Sequence, residues 1–326
     1  MQSDVFHFVW RVPKDGFQWI ETEPVDLPTE RKDWFLSDGV PIGHSSLMRA
    51  FHPLSETGLF RTFAELEARQ KTILEFANRY GRLGATIANS IRVAPHPAKP
   101  GASLLGSGES LSKWEHEIWE VRESVALLDG VQSAIQGADS VLSEQIKWEA
   151  ERGTVQYTGP TRGRLPNDPK QREVRNCEII AFSDSELHRH CQPGDLIVPA
   201  RYYLQKRVNR KLIEHGVTAR LLWDERWQGL GLYLVPSNLI GAIWLQIARA
   251  IDGNREYRRC LDCRKWFEVT PHVTRADRKF CSGSCKASAH RKKIGDAKIM
   301  HARGVSAKEI AAALETDVKT LKGWLK

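Results

Sequence analysis

The chain has 326 residues, of which 41% are hydrophobic and 11 are tryptophan, a composition that excludes a wholly disordered protein and leaves room for at least two domains. Its formal charge of +8 is unevenly placed: Asn254–Lys326 holds 18 of the 48 Lys+Arg but only 8 of the 40 Asp+Glu, so the whole positive excess lies in that C-terminal stretch. Met1–Trp10 lacks a basic stretch leading into a long apolar run, and no segment approaches roughly 18 uninterrupted apolar residues, so neither a signal peptide nor a membrane span is expected.

From the N-terminus, Val5–Val12 is apolar and β-branched and predicts a strand, after which Pro13, Pro24, Pro28 and Pro41 break the chain into loops. Leu59–Tyr80 carries apolar residues near helical spacing and predicts one helix. Ala94–Ser110, rich in Pro, Gly and Ser, predicts a loop; Leu111–Ile135 predicts a helix and Asp139–Glu151 a shorter one. Gly159–Lys170 reads as a connector between possible subdomains. Glu178–Phe182 and Leu196–Val198 are short strand candidates, and Arg201–His215 is a helix capped by Gly216. Val217–Trp223 and Leu230–Val235 form the best strand pair, with a turn over Asp224–Gly229. Asn238 then caps a helix whose stripe of Leu239, Ile240, Ile243, Trp244, Ile247 and Ile251 belongs in a core, and Gly253 ends it. The expected class is therefore α+β, with a mixed domain over 1–253, a small four-cysteine finger over 254–293 and a tri-helical helix-turn-helix over 294–326.

Six cysteines are too sparse for a disulfide scaffold. Four fall within one short window, Cys260-Leu-Asp-Cys263 and Cys281-Ser-Gly-Ser-Cys285, which in a reducing compartment reads as metal binding and places the chain in the cytoplasm. Two thiolates on one tight turn reach a single ion, and a second pair completes a tetrahedron, the geometry of a structural Zn2+ site. Four cysteines close the shell and leave no open catalytic position. His290, five residues past Cys285, is an alternative fourth ligand. Trp266, Phe267 and Phe280 supply the apolar cover that so small a module needs, with the metal contributing the rest of its folding energy. The segments Tyr257–Phe267 and Arg278–Lys292 resemble the treble-clef-like fingers of bacterial CGNR-type zinc-finger proteins, although Cys285 is followed by Lys286-Ala287-Ser288 in place of the Cys-Gly-Asn-Arg signature. The resemblance implies a zinc finger appended to an α/β domain in a transcription regulator.

Asp296–Arg303 predicts a helix ended by Gly304. In Ser306–Lys326, Ser306 and Glu309 make a capping box for a second helix bearing Ile310, Ala311 and Leu314, and a third carries Val318, Leu321, Trp324 and Leu325. This pattern resembles the tri-helical domains of resolvases, with Glu315 at the turn position those domains usually give to glycine. In such a unit Asp317, Lys319, Thr320 and Lys322 face out, and the two lysines reach phosphate or guanine. Lys286, Arg291, Lys292 and Lys293, followed by Lys298 and Arg303, extend the basic surface.

DNA is thus the expected partner, with a second copy of the chain as a further candidate. Two other readings stay open: an adaptor whose finger and helices hold a protein, and an enzyme acting on nucleic acid from a site within 1–253. Cys177, His188, His190 and Cys191 have the atoms for a second metal but no knuckle spacing. Trp114-Glu115-His116-Glu117 lacks the second histidine of a zinc peptidase, and Gly101–Ser110 lacks the lysine of a phosphate-binding loop.

Overall fold

The structure is a computed structural model, and it describes residues 8–25, 33–43, 47–84, 88–138, 140–164, 173–181, 183–224, 228–253, 255–269 and 277–325. The chain divides into two units, Met1–Asn254 and Arg255–Lys326. Both mix helices and small antiparallel sheets, as an α+β chain should.

Unit 1 opens with strands β1 (Trp10–Pro13), β2 (Gln18–Thr22), β3 (Asp33–Ser37) and β4 (Met48–Phe51), followed by helices α1 (Leu59–Ala64) and α2 (Gln70–Tyr80). Strands β5 (Ala88–Pro95) and β6 (Ser103–Ser110) lead into the long helix α3 (Leu111–Ile135), a short α4 (Ser140–Gln145) and strand β7 (Ile146–Glu149). Strands β8 (Thr154–Arg164) and β9 (Glu173–Ala181) precede helices α5 (Ser185–His190) and α6 (Ile197–Glu214). The unit closes with β10 (Thr218–Asp224), β11 (Gly229–Val235) and α7 (Leu239–Asp252). A four-stranded sheet runs β2-β3-β6-β5, a three-stranded one β7-β8-β9, and β1-β4 and β10-β11 pair by themselves.

Several expectations are corrected. The single helix over Leu59–Tyr80 breaks at Glu65–Arg69, because Arg122 on α3 takes the carbonyls of Ala64 and Leu66 at 2.8 and 2.6 Å and removes them from a helical ladder. The expected loop Ala94–Ser110 is largely strand. Its glycines are needed for close packing: a Cβ on Gly106 or Gly108 would meet Val93 at 2.5 Å or Ile91 at 2.7 Å. Gly159–Arg164 likewise continues β8, with Gly159 pressed against the carboxylate of Glu123; residues 165–170 of the expected connector lie outside the described residues. Ile146–Glu149 leaves the expected Asp139–Glu151 helix to pair with Thr154–Tyr157. Leu196–Val198 is not a strand but the entry to α6, where Pro199 falls in the first turn and costs no hydrogen bond. Val5–His7, Asp139 and Phe182 lie outside the described residues. By contrast α3, the β10–β11 pair and α7 stand where the sequence predicts them, α7 with Asn238 accepting from the Gly241 N–H at 2.8 Å.

The core of unit 1 is aromatic and aliphatic, with Phe60, Phe63, Trp114, Trp244 and Ile243 fully buried. Through it runs a ladder of charge that composition does not announce. Glu117, Glu120 and Glu123 sit at every third position of α3 and all are buried. Helix α6 answers them in the opposite direction: Arg207 meets Glu123 at 3.2 Å, Arg210 meets Glu120 at 3.7 Å and the ammonium of Lys211 meets Glu117 at 2.9 Å. Tyr157 donates its hydroxyl to Glu123 at 2.9 Å, and Arg207 also reaches Glu178 at 3.3 Å.

Unit 2 holds a hairpin of β12 (Glu256–Arg259) and β13 (Trp266–Val269), then helices α8 (Gly283–Ala302), α9 (Ala307–Ala313) and α10 (Val318–Trp324). The expected boundary between finger and helices at 293/294 falls inside α8, which is one continuous helix of 20 residues. Ala297, Ile310, Ala311 and Leu321 form the small core of the three helices, with Met300, Val305, Leu314, Trp324 and Leu325 against it. The capping box of Ser306 and Glu309 is present. Two similar turns join the helices. After α8 the N–H groups of Gly304 and Val305 bond back to His301 and Met300 at 3.0 and 3.2 Å. After α9 those of Glu315 and Thr316 bond to Ala312 and Ala311 at 3.2 and 2.9 Å. The first turn uses glycine at φ +81°, and the second forces Glu315 to φ +47°.

This packing has two measurable consequences. Burial works to raise the Glu117 carboxyl, but the His215 imidazole and the Lys211 ammonium outweigh it and hold the group down at about 2, below its ordinary 4.5. Its contribution is therefore complete above pH 4.5 and is lost as pH falls toward 2. Glu117→Gln should destabilise unit 1 at pH 7 by on the order of 3 kcal/mol, since it removes the buried partner of the Lys211 ammonium and leaves it only the half-exposed Glu214; in urea titrations the gap from wild type should close across that acid window. Glu315→Gly should stabilise unit 2 by about 1 kcal/mol, read from its chemical unfolding midpoint, because a left-handed residue bearing a Cβ is relieved of its strain.

Candidate metal centre

The four expected cysteines converge. Sulfur atoms of Cys260, Cys263, Cys281 and Cys285 all lie within 4.8 Å of one another, and all are free thiols. Cys263 and Cys281 are separated by 3.6 Å and Cys281 and Cys285 by 3.5 Å. A tetrahedral ion with four thiolates at about 2.3 Å sets its sulfurs about 3.8 Å apart, so the donor set fits a metal ion closely.

Local structure explains how the sequence gathers them. The first pair sits on the turn between β12 and β13, closed by Arg264 N–H to the Cys260 carbonyl at 3.0 Å and Cys260 N–H to the Lys265 carbonyl at 2.9 Å. That turn puts Arg264 at φ +60°. The second pair straddles the start of α8: Cys281 precedes the N-cap Ser282, and Cys285 lies in the first turn, its N–H donating to the Ser282 hydroxyl at 3.2 Å. The three-residue gap is thus one helical turn plus its cap, and the positive end of the helix faces the sulfurs. Leu261 N–H to the Lys279 carbonyl at 3.1 Å ties the halves together. Phe267 and Val269 pack with buried Cys260, and Phe280 covers them; Trp266, expected in the same cover, carries the guanidinium of Arg259 over its ring at 5.1 Å.

The thiols also perturb one another. Burial pushes the Cys260 thiol up, but the N–H groups of Cys263, Cys281 and Asp262 more than offset this and hold it down at about 6. Burial and the facing thiols of Cys285, Cys263 and Cys260 push Cys281 up to about 12. Burial and hydrogen bonding thus move two sulfurs of one cluster in opposite directions.

Arg278, which spacing alone did not single out, braces this centre. Its Nε donates to the Phe280 carbonyl at 2.8 Å, a second nitrogen donates to the carbonyl of Cys281, and its guanidinium lies over the Phe267 ring at 5.2 Å. Of the residues expected to meet phosphate, Lys292 is engaged by Asp262 of the first knuckle at 2.6 Å, and Ser288 reaches the same carboxylate at 3.3 Å. Asp317 caps α10, its carboxylate accepting from the Thr320 N–H at 2.7 Å and from the Thr320 hydroxyl at 2.6 Å. Lys286, Arg291, Lys319 and Lys322 are exposed and Lys293 is half-buried. Arg278, Lys279 and Lys286 line an open concavity of about 500 Å³ beside the start of α8. His290, the alternative ligand, instead packs its ring edge-on to Trp324 at 5.4 Å.

A second group with metal-binding atoms is Glu117, Glu214 and His215 in unit 1. There the Lys211 ammonium already stands 2.9 Å from Glu117 and 3.3 Å from Glu214, supplying the positive charge from within the chain. Cys177, His188, His190 and Cys191 are not brought together: among the described residues no metal-binding group includes any of them. No helix of the described residues is long and apolar enough to cross a membrane. Comparison with family models, with curated proteins and with solved structures gives no match.

The purified chain should carry about one tightly held divalent ion, by elemental analysis, in keeping with a closed four-thiolate shell. Before chelation, Ellman's reagent should find Cys177 and, on unfolding of unit 1, Cys191. After chelation Cys260, Cys263, Cys281 and Cys285 should react as well, and α8 should lose helicity. Four finger thiols that react freely at the outset would overturn the assignment.

Proposed function

We propose that unit 2 is a zinc-stabilised DNA-binding module, and that the chain is a transcription regulator of the kind the CGNR-type and resolvase resemblances imply. In this reading Zn2+ is the ion at the four cysteines, since a closed tetrahedral thiolate shell with no open position suits a redox-inert structural metal. Helices α9 and α10 act as a helix-turn-helix, α8 serving both as the last element of the finger and as the first helix of the tri-helical unit.

One observation carries the reading. Helix α10 follows a tight turn with a left-handed residue, buries Leu321 completely and leaves Lys319 and Lys322 exposed. A recognition helix needs that division between an apolar anchor and a face free to enter the major groove. The +8 charge, concentrated in this stretch, adds the electrostatic footprint of a phosphate-binding surface. Lys286, Lys279 and Arg278 along the open concavity would position the backbone, as would Arg291 and Lys293, while Lys319 and Lys322 reach base edges or phosphate. Lys292 contributes chiefly by pinning α8 to the first knuckle through Asp262.

The test is a fluorescence titration of the full chain against duplex DNA at stepped salt. If about six phosphates are neutralised, log K should fall with log salt at a slope of about −5. Lys319→Ala combined with Lys322→Ala should weaken binding at least about tenfold while metal content stays unchanged. Salt-independent association, or full affinity in the double variant, would reject DNA binding through α10 and favour a protein-binding adaptor.

A further inference from the structure

The hairpin β10–β11 turns its apolar face outward. Its register sets Ala219 opposite Leu234, Leu221 opposite Leu232 and Trp223 opposite Leu230. Alternation along each strand sends these six side chains to one face. Leu221 is 65% exposed, Trp223 60%, Leu230 69%, Leu232 72% and Leu234 47%. No charged residue stands among them. The opposite face buries Asp224 and Tyr233, joined by a hydrogen bond from the tyrosine hydroxyl to the carboxylate. An antiparallel sheet with one face in water ordinarily shows that water its polar residues; this hairpin does the reverse. Among the described residues no other strand joins either edge.

We propose that this face is where two copies of the chain meet. Cross-strand neighbours about 5 Å apart make the patch continuous. Its five large side chains present on the order of 600 Å² of apolar surface, at the top of what a monomer commonly leaves in water. Two such faces together remove on the order of 1,200 Å² from solvent, the lower bound of a standard stable interface, before any flanking contact is added. The face is also complementary to itself. Side-chain size falls along the hairpin from Trp223 to Ala219, so a two-fold axis through the Leu221–Leu232 pair lays the largest residue of each copy over the smallest of the other. A lipid surface is the competing occupant for such a Leu/Trp patch. It is disfavoured because this face bears no basic residue, and the chain before Asn254 holds 30 Lys+Arg against 32 Asp+Glu, with no excess to draw it to anionic headgroups.

Sedimentation velocity on the full, metal-loaded chain over a concentration series tests the proposal without DNA, so its failure and the failure of the DNA reading are separable. The wild-type protein should sediment with the mass of two chains. Leu232→Glu and Leu221→Glu, both at exposed positions that folding does not need to bury, should each raise the dimer dissociation constant at least about a hundredfold with circular dichroism and metal content unchanged. Ile299→Glu, at another exposed apolar position, should leave the mass as it was. A wild-type chain that stays single up to about 100 µM, or a dimer that survives both hairpin substitutions, would overturn the proposal. So would a chain that is single in solution yet floats with phosphatidylcholine–phosphatidylglycerol vesicles and loses that binding on Leu232→Glu.

Discussion

The gathering of four sulfurs within 4.8 Å of one another is the constraint on which unit 2 depends. The apolar material around them is slight: Cys260, Phe267 and Val269 are buried, and Phe280 leans against them. A core of that size does not hold a fold in water by itself, and a metal shared by two knuckles can supply the missing free energy. Because the second knuckle is also the cap and first turn of α8, whatever holds the sulfurs holds the start of a helix of 20 residues. The far end of that helix provides Ala297 and Met300 to the core of the three-helix unit. Metal centre and helical unit are therefore mechanically one body, and in the proposed reading the basic surface of α8 and α10 is ordered by the ion without touching it.

Unit 1 is held on a different principle. A buried glutamate is costly, and three of them on one helix would be untenable without compensation. The compensation is geometric: residues three apart on α3 share a face, and α6 runs past that face in the opposite direction, setting Arg207, Arg210 and Lys211 against Glu123, Glu120 and Glu117. Such a ladder adds little to stability compared with well-packed apolar residues, but it penalises any other register of the two helices. The ammonium of Lys211 explains why a cluster with the right atoms for a metal is better read as a closed ion-pair network. In the same unit the β10–β11 hairpin leaves an apolar face exposed, and an isolated two-stranded hairpin is marginal in water. Burial against a second copy would resolve that imbalance.

What the sequence by itself determined were the features whose cause is local. The spacing of Cys260, Cys263, Cys281 and Cys285 announced their convergence. The cap at Asn238 with its apolar stripe marked α7, and Ser306 with Glu309 marked the start of α9, because caps and periodicity act within a few residues. Only the tertiary structure decided the rest. The glycines of β6 and β8 looked like loop signals, since the Val93, Ile91 and Glu123 side chains that require their bare backbone arrive from elsewhere in the chain. The break between α1 and α2 was invisible because its cause, Arg122, lies on α3. The burial of Glu117, Glu120 and Glu123 left no local mark, because the α6 cations that answer them lie far along the chain. The pairing of β10 with β11 was legible, but not which of its faces Leu221, Trp223, Leu230, Leu232 and Leu234 would leave exposed. Hydrophobic pattern reports that a face differs from its opposite; which of the two meets water depends on partners that no local stretch of sequence contains.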